Sequence, residues 1–404
     1  MVLLHGCIRY ADGNLIVLPF QLFTGIEIVK FLLCIFLVFS HVCVFADSSA
    51  HVQAPTPDPA VQIIIEEMGL RESATASRDL PGWSPPHKVV ARSGPPGHLE
   101  ALQAAAPGVE IVIVDSIEHA RREAVDAQVV LGMCDREILE SSPGLFWVQV
   151  YSAGVEHCVA LPGMKEGQKL LTNGQRIASP ALAEHAIAMT MMLARGLDVY
   201  HTNQLKGKWQ RETGLARTDH VELESRTMLV VGLGGIGTQV AKRGHGLGMH
   251  VIATRNSRRE GPDFVEYVGL SNELNELARR ADVGINTAPL TEQTRGMFNT
   301  EFFTAMKPGA FFVSVGRGGS TVTDDLVAAL NSGQIAGAGL DVVDPEPLPE
   351  GHPLWSMPRV IISPHTAGRS DKGRDRLYLV VQENLRRYVA GEPLLSVVDI
   401  ERGY

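Results

Sequence analysis

The chain has 404 residues, a length that favours two domains over one. With 45% hydrophobic and 20% charged residues it has ample material for buried cores. A net charge of −9 excludes a nucleic-acid surface, which needs a basic face, and admits small anionic ligands only where positive charge gathers in a cleft. The five cysteines show no CxxC or Cys/His spacing, so neither a zinc centre nor a disulfide scaffold is expected.

Residues 31–45 read FLLCIFLVFSHVCVF, with Lys30 before them and Ala46-Asp47-Ser48 after. Val44 and Ala46 are small residues at −3 and −1 of a cut, the pattern of a signal peptide over residues 1–46. Residues 15–29 add apolar length broken by Glu27, so a membrane anchor over 15–46 is a second reading. A buried N-terminal strand or helix is a third. If translation starts at Val29, an initiator Met followed by KFLLCIFLVFSHVCVFA makes a compact signal sequence. Residues 47–87 are rich in Ser, Ala and Pro and read as a linker with one helix at most.

From residue 88, apolar strands alternate with amphipathic stretches. KVVARSG (88–94), VEIVIVD (109–115), AQVVLGM (127–133) and LFWVQVY (145–151) have the continuous apolar character of buried parallel strands. Helices are expected between them over 98–106 and 117–124. Residues 178–205 predict one long helix, with Ser179-Pro180 as cap and first-turn proline. A second series of six strands follows: TMLVVGLG, HVIATR, VGINTAP, AFFVSVG, IAGAGLDV and VIISPH. Six strands separated by helix-length segments describe a doubly wound sheet with a dinucleotide crevice.

Gly232-Leu233-Gly234-Gly235-Ile236-Gly237 fits G-x-G-x-x-G after the strand at 228–231 and before a helix, the context that gives the motif meaning. There the pyrophosphate meets free amides and the positive end of the helix dipole. The next strand runs into Thr254-Arg255-Asn256-Ser257-Arg258-Arg259, with no acid until Glu260. An NAD site usually places Asp or Glu there for the ribose 2′-hydroxyl, whereas a guanidinium suits a 2′-phosphate. NADP is therefore favoured, with Arg255 as main reader and Ser257 or Arg258 assisting. A basic turn that tolerates NAD as well is the other reading.

Three charged residues stand at or beyond the ends of late strands: Arg317 in SVGRGGS, Glu346 in DVVDPEP and His365 in SPHTAG. In an open α/β sheet those ends line the ligand crevice. With YSAGVEH (151–157), ALAEHAIAMTMMLAR (181–195), NTAPLTEQT (286–294) and GLDVVDPEPLPEGHPLW (339–355), the region from about 88 to 404 resembles the D-isomer-specific 2-hydroxyacid dehydrogenases, especially glyoxylate/hydroxypyruvate reductase-like members.

The resemblance implies an α/β fold with a Rossmann-type cofactor domain (179–368). A smaller flavodoxin-like substrate domain would combine 88–178 with 369–404, and the cleft between the two would close on substrate. It implies His365 as proton donor to the keto oxygen, Glu346 as its partner favouring the imidazolium, and Arg317 as the binder of the substrate carboxylate. The amides of Ser152, Ala153 and Gly154 would hold the carboxylate's other side. Asp341 would bond the nicotinamide amide, while Pro289, Thr294 and Gly316 would line the cofactor. Similar formate dehydrogenases carry glutamine where Glu346 stands, so the glutamate argues for a keto acid. No metal is needed.

The resemblance also implies a homodimer supported by the long helix around 181–205, and the apolar density of Ala186, Ile187, Met189, Met191, Met192 and Leu193 agrees with burial there or within the chain. Because the resemblance also covers corepressors that act through partners, a nucleotide-sensing binding protein is the second functional reading. Localisation stays divided between export or anchoring, from the N-terminus, and the cytoplasm, from the cofactor.

Overall fold

The computed structural model describes residues 56–164, 169–211 and 220–403. The signal or anchor segment expected over 1–46, and the alternative start at Val29, lie outside the described residues.

Two wholly parallel sheets carry the chain. The first has the strand order β2-β1-β3-β4-β5, built from β1 (Lys88–Arg92), β2 (Glu110–Val114), β3 (Val129–Leu131), β4 (Trp147–Gln149) and β5 (Leu170–Thr172). This 2-1-3-4-5 order is flavodoxin-like. The second comprises β6 (Thr227–Val231), β7 (His250–Arg255), β8 (Tyr267–Leu270), β9 (Val283–Asn286), β10 (Ala310–Ser314), β11 (Ile335–Leu340) and β12 (Val360–Ile362). Its order is β12-β11-β10-β9-β6-β7-β8, which reverses direction between β6 and β9, the switch point where ligand crevices form. Six strands are expected there and seven are found. The extra one, β8, is a four-residue edge strand containing Gly269, too short for a periodic signal.

Amphipathic helices cover both sheets. Helix Gly235–Gly246 buries Gly237, Val240, Ala241 and Gly244, the i, i+3, i+4, i+7 stripe of one face. In the first sheet Trp147 is fully buried, stacked on Tyr388 at 5.2 Å, and its indole N–H donates to Thr172 Oγ1 at 2.8 Å. Tyr388 belongs to the C-terminal helix Gly373–Val389, which packs Val381, Leu385 and Tyr388 into the core of the first sheet.

Four expectations need correction. The helix expected over 178–205 is two helices, Ser179–Ala194 and Leu197–Leu205, because Gly196 turns the chain at φ 63°. Ser179 is not its cap: Ala178 holds that position, and the Ser179 hydroxyl makes no capping bond. The described part of the expected linker is packed structure. Helix Pro59–Met68 buries Val61 and Ile64, and Ile64 and Leu70 meet Val380 and Leu395 in a small core. Finally, Cys134 and Cys158 form a disulfide, with Cα atoms 5.8 Å apart. Their separation of 24 positions follows no spacing rule; the fold brings the loop after β3 to the short helix Glu156–Val159.

The C-terminal helix holds a buried charge cluster. Glu383 is 4% exposed and accepts from Arg387 Nε at 2.7 Å and from Arg386 Nε at 2.9 Å. Burial pushes its carboxyl up, but the bonds from Arg386 and Arg387 outweigh it and hold the group below the usual carboxylate range. A carboxyl depressed in the folded state contributes stability above its unfolded pKa and loses it as pH falls through the folded value. Glu383→Gln is therefore expected to destabilise by about 3 kcal/mol at neutral pH, since it removes the buried charge that Arg386 and Arg387 share and leaves them only their more exposed partners Glu392 and Glu72. Urea unfolding at pH 7 and near pH 3 should show that difference shrinking at the acid end. An unchanged difference would contradict the assignment.

Candidate active site

Arg317, Glu346 and His365 follow the carboxyl ends of β10, β11 and β12, three adjacent strands of one sheet. The Arg317 guanidinium is held from two sides: Nη1 donates to its own neighbour Gly316 O at 2.8 Å, and Nε donates to Glu156 Oε1 at 3.0 Å. Glu156 opens the short helix after β4, in the first sheet. Gly154 lies so close to Arg317 Nη2 that a Cβ at that residue would overlap it. The residues expected to grip a substrate carboxylate from both domains thus meet in the structure.

The 152–154 loop is stiffened from behind. Ser152 Oγ donates to Gly154 O at 2.7 Å, Asn173 Nδ2 donates to Ala153 O at 2.7 Å, and Gly174 N donates to Ser152 O at 2.9 Å. Among the described residues, the backbone amides of Ser152, Ala153 and Gly154 have no acceptor. They are free for an anion beside the Arg317 guanidinium.

His365 Nδ1 and Glu346 Oε1 are 2.7 Å apart, and both side chains are roughly half-exposed. With the carboxylate accepting from Nδ1–H, the opposite ring nitrogen Nε2 faces away for proton exchange. His365 itself sits at φ 51°, an uncommon conformation for a side-chain-bearing residue. Asp341 explains how it is held. Its Oδ1 accepts from Ser363 Oγ at 2.6 Å and Thr366 N at 2.9 Å, its Oδ2 from Ala367 N at 3.0 Å, and its carbonyl from His365 N at 2.9 Å. Asp341, the residue expected at the nicotinamide amide, has a wholly buried carboxylate that holds the turn presenting His365.

The dinucleotide crevice is built around the glycine loop. Gly232 turns at φ 93° with Ala288 packed against it, and a Cβ on Gly237 would overlap Gly232 O, so strand and helix approach as closely as the motif requires. Nothing lies within 4 Å of where a Gly234 Cβ would be, which leaves that backbone open to a ligand. Ile236 packs at the edge of the core beneath the loop. Across the crevice, Thr294 Oγ1 donates to Pro289 O at 2.6 Å and closes the 289–294 loop, while Gly316 abuts Ala288 O.

At the end of β7, Arg259 is committed to Glu273 at 2.6 Å and to the Tyr267 hydroxyl. Arg255 and Arg258 make no ion pair among the described residues, and Arg255 Nε is buried without an acceptor. Ser257 is exposed beside them. Burial, then the charges of Arg258 and Arg71, push the Arg255 guanidinium below its ordinary value. An unpaired cation at the ribose-reading position fits a dinucleotide with an additional phosphate.

Residues 187–367 match the family model of the D-isomer specific 2-hydroxyacid dehydrogenase NAD binding domain. A glyoxylate/hydroxypyruvate reductase A of Photorhabdus laumondii is 32% identical over 275 residues, 66% of this chain and 84% of its own length. The chain belongs to the D-isomer specific 2-hydroxyacid dehydrogenase family. Another relative of this family, a glyoxylate reductase of Korarchaeum cryptofilum, is 32% identical over 75% of this chain and 90% of its own. An NADPH-dependent glyoxylate/hydroxypyruvate reductase from Sinorhizobium meliloti, solved with NADP and sulfate, superposes with a TM-score of 0.67 at 27% identity. It covers 78% of this chain and 99% of that one.

Glu156 is a residue to which the sequence alone assigned no role. It sits inside the YSAGVEH segment, and only the fold shows it reaching Arg317 in another sheet. Because Gly154 admits Arg317 so closely, Gly154→Ala is expected to displace the guanidinium. Steady-state kinetics should show KM for a keto acid rising about tenfold or more, the loss of one charge-assisted contact, with dinucleotide affinity unchanged. An unaltered KM would place substrate elsewhere.

Proposed function

We propose that the chain reduces a small 2-keto acid of the glyoxylate/hydroxypyruvate kind to its D-2-hydroxy acid, using NADPH in preference to NADH. The observation that carries this is the meeting of Arg317 with the unpaired amides of the 152–154 loop, an anion site next to the glycine-loop crevice. Nicotinamide in that crevice supplies a hydride to the keto carbon. Arg317 and the loop amides hold the substrate carboxylate, and the guanidinium polarises the carbonyl where negative charge develops. His365 Nε2 gives its proton to that oxygen, completing the hydroxyl, and takes it back in the reverse direction. Glu346 keeps the ring oriented through its contact with Nδ1. Asp341 fixes the turn on which His365 rides and would bond the nicotinamide amide.

The preference for NADPH rests on Arg255, with Arg258 and Ser257 at its side, and on the absence of an acid at that strand end. Residues 88–178 with 369–404 would form the substrate domain and 179–368 the cofactor domain, closing on substrate. For a homodimer, the supporting feature is an exposed apolar edge: Leu197, Leu205 and Trp209 are 51%, 75% and 93% exposed. Ala186, Ile187, Met189 and Leu193, by contrast, are buried in the chain's own core. Export is the reading that joins the apolar N-terminus to the Cys134–Cys158 disulfide, since such bonds persist in oxidising compartments.

The test is steady-state oxidation of NADPH and NADH by the purified chain, with glyoxylate, hydroxypyruvate and phenylpyruvate in parallel. Turnover is expected with at least one of the first two. His365→Ala should lower kcat by about 10²–10⁴, and Arg255→Gln should cost NADPH about tenfold in affinity while sparing NADH. Tight dinucleotide binding with no turnover would instead favour a nucleotide sensor.

A further inference from the structure

Beside the first turn of helix Gly235–Gly246 lies a pocket that the glycine motif does not account for. Its walls include Gly235 and Thr238, Arg176 and Ser179, and the 66–69 end of helix Pro59–Met68. Gly235 has no room for a side chain because Arg176 occupies it: a Cβ there would come within 2.7 Å of Arg176 Cγ and 2.9 Å of Ser179 Oγ. Ser179 is 3% exposed, yet its hydroxyl has no hydrogen-bond partner. A buried hydroxyl left unpaired is costly, and such groups mark sites completed by something else.

Arg176 is equally unusual. It adopts φ 70°, a backbone conformation that side chains disfavour. Among the described residues its guanidinium reaches Met68 O, at 3.4 Å, and no carboxylate. Arg71, at the end of the same N-terminal segment, and Arg255 and Arg258, at the end of β7, lie near enough that burial first and then their three charges push the Arg176 guanidinium down. Among the described residues none of the four arginines makes an ion pair. Glu66 and Glu67 stand exposed at the pocket's rim, and Glu66 already accepts from Gln62. Glu260 acts on Arg255 from a distance, but among the described residues no carboxylate pairs with these four cations, which repel one another and suit a polyanion.

We infer that Arg176 and Arg71 complete the dinucleotide's phosphate site. Arg176, with the Ser179 hydroxyl, takes the pyrophosphate beside the helix start. Arg71 joins Arg255 and Arg258 on the adenosine 2′-phosphate. The 59–71 segment, which the sequence presents as linker, thereby becomes the outer wall of the cofactor site. The inference rests on the NADP reading above and adds two residues from outside the Rossmann sheet to it.

Calorimetric titration of the full chain with NADPH, NADH and 2′,5′-ADP tests it without turnover. Arg71→Gln should weaken NADPH and 2′,5′-ADP about tenfold and leave NADH unchanged, the loss of one charge-assisted contact. Arg176→Gly, which suits φ 70°, should weaken NADPH and NADH alike by about tenfold, and Arg176→Lys should recover part of that loss. Arg259→Gln, already paired to Glu273, is the control and should change nothing. Full affinity in both Arg71→Gln and Arg176→Gly, with Arg255→Gln still losing NADPH, would overturn the inference and leave the NADP reading standing. Equal affinity of all variants and of wild type for both dinucleotides would overturn the reading as well.

Discussion

A guanidinium fixed between two sheets is the constraint on which the site depends. Arg317 projects from the end of β10, and one flexible side chain could point many ways at a considerable entropic cost. Here Gly316 O and Glu156 Oε1 each take one of its donors, and Gly154 lets the remaining edge lie against the 152–154 loop. A partly buried cation needs such partners, and choosing one on the other sheet couples substrate binding to the relation between the sheets. A substrate carboxylate bound as proposed would meet a donor set whose geometry is already in place, which is how positioning lowers a barrier.

The same logic of support from behind recurs at His365, the proposed proton donor. His365 occupies a conformation that would not persist alone. The Asp341 carboxylate, buried at the end of β11, holds it by collecting the amides of Thr366 and Ala367 and the Ser363 hydroxyl. Adjacent parallel strands put Asp341 and His365 side by side, so the sheet order itself delivers the acid to the turn.

Much of this was legible before any fold was known, because the informative signals are local. G-x-G-x-x-G between a strand and a helix, the arginine-rich end of the next strand, and charged residues after three late strands all read from neighbouring letters. What escaped depends on distant segments meeting. Glu156 lies 161 positions from Arg317 and finds it only through the cleft. Arg71 and Arg176 carry no motif, and their nearness to Arg255 is a product of how helix Pro59–Met68 packs on the C-terminal helix. Cys134 and Cys158 looked unpaired for the same reason. The support that Asp341 gives to the His365 turn was likewise invisible, because it depends on β11 and β12 lying side by side. Gly196, an ordinary residue in a helical stretch, became a break because only its φ of 63° tells where the chain bends.

The central claim is that a 2-keto acid is held by its carboxylate while hydride and proton arrive at the same carbonyl in one fixed orientation. The most direct measurement is a single turnover of hydroxypyruvate with NADPH deuterated at the reactive C4 position, followed by chiral analysis of the product. The account predicts D-glycerate alone, with one deuterium at C2. L-glycerate, a racemic product, or product without the label would contradict it.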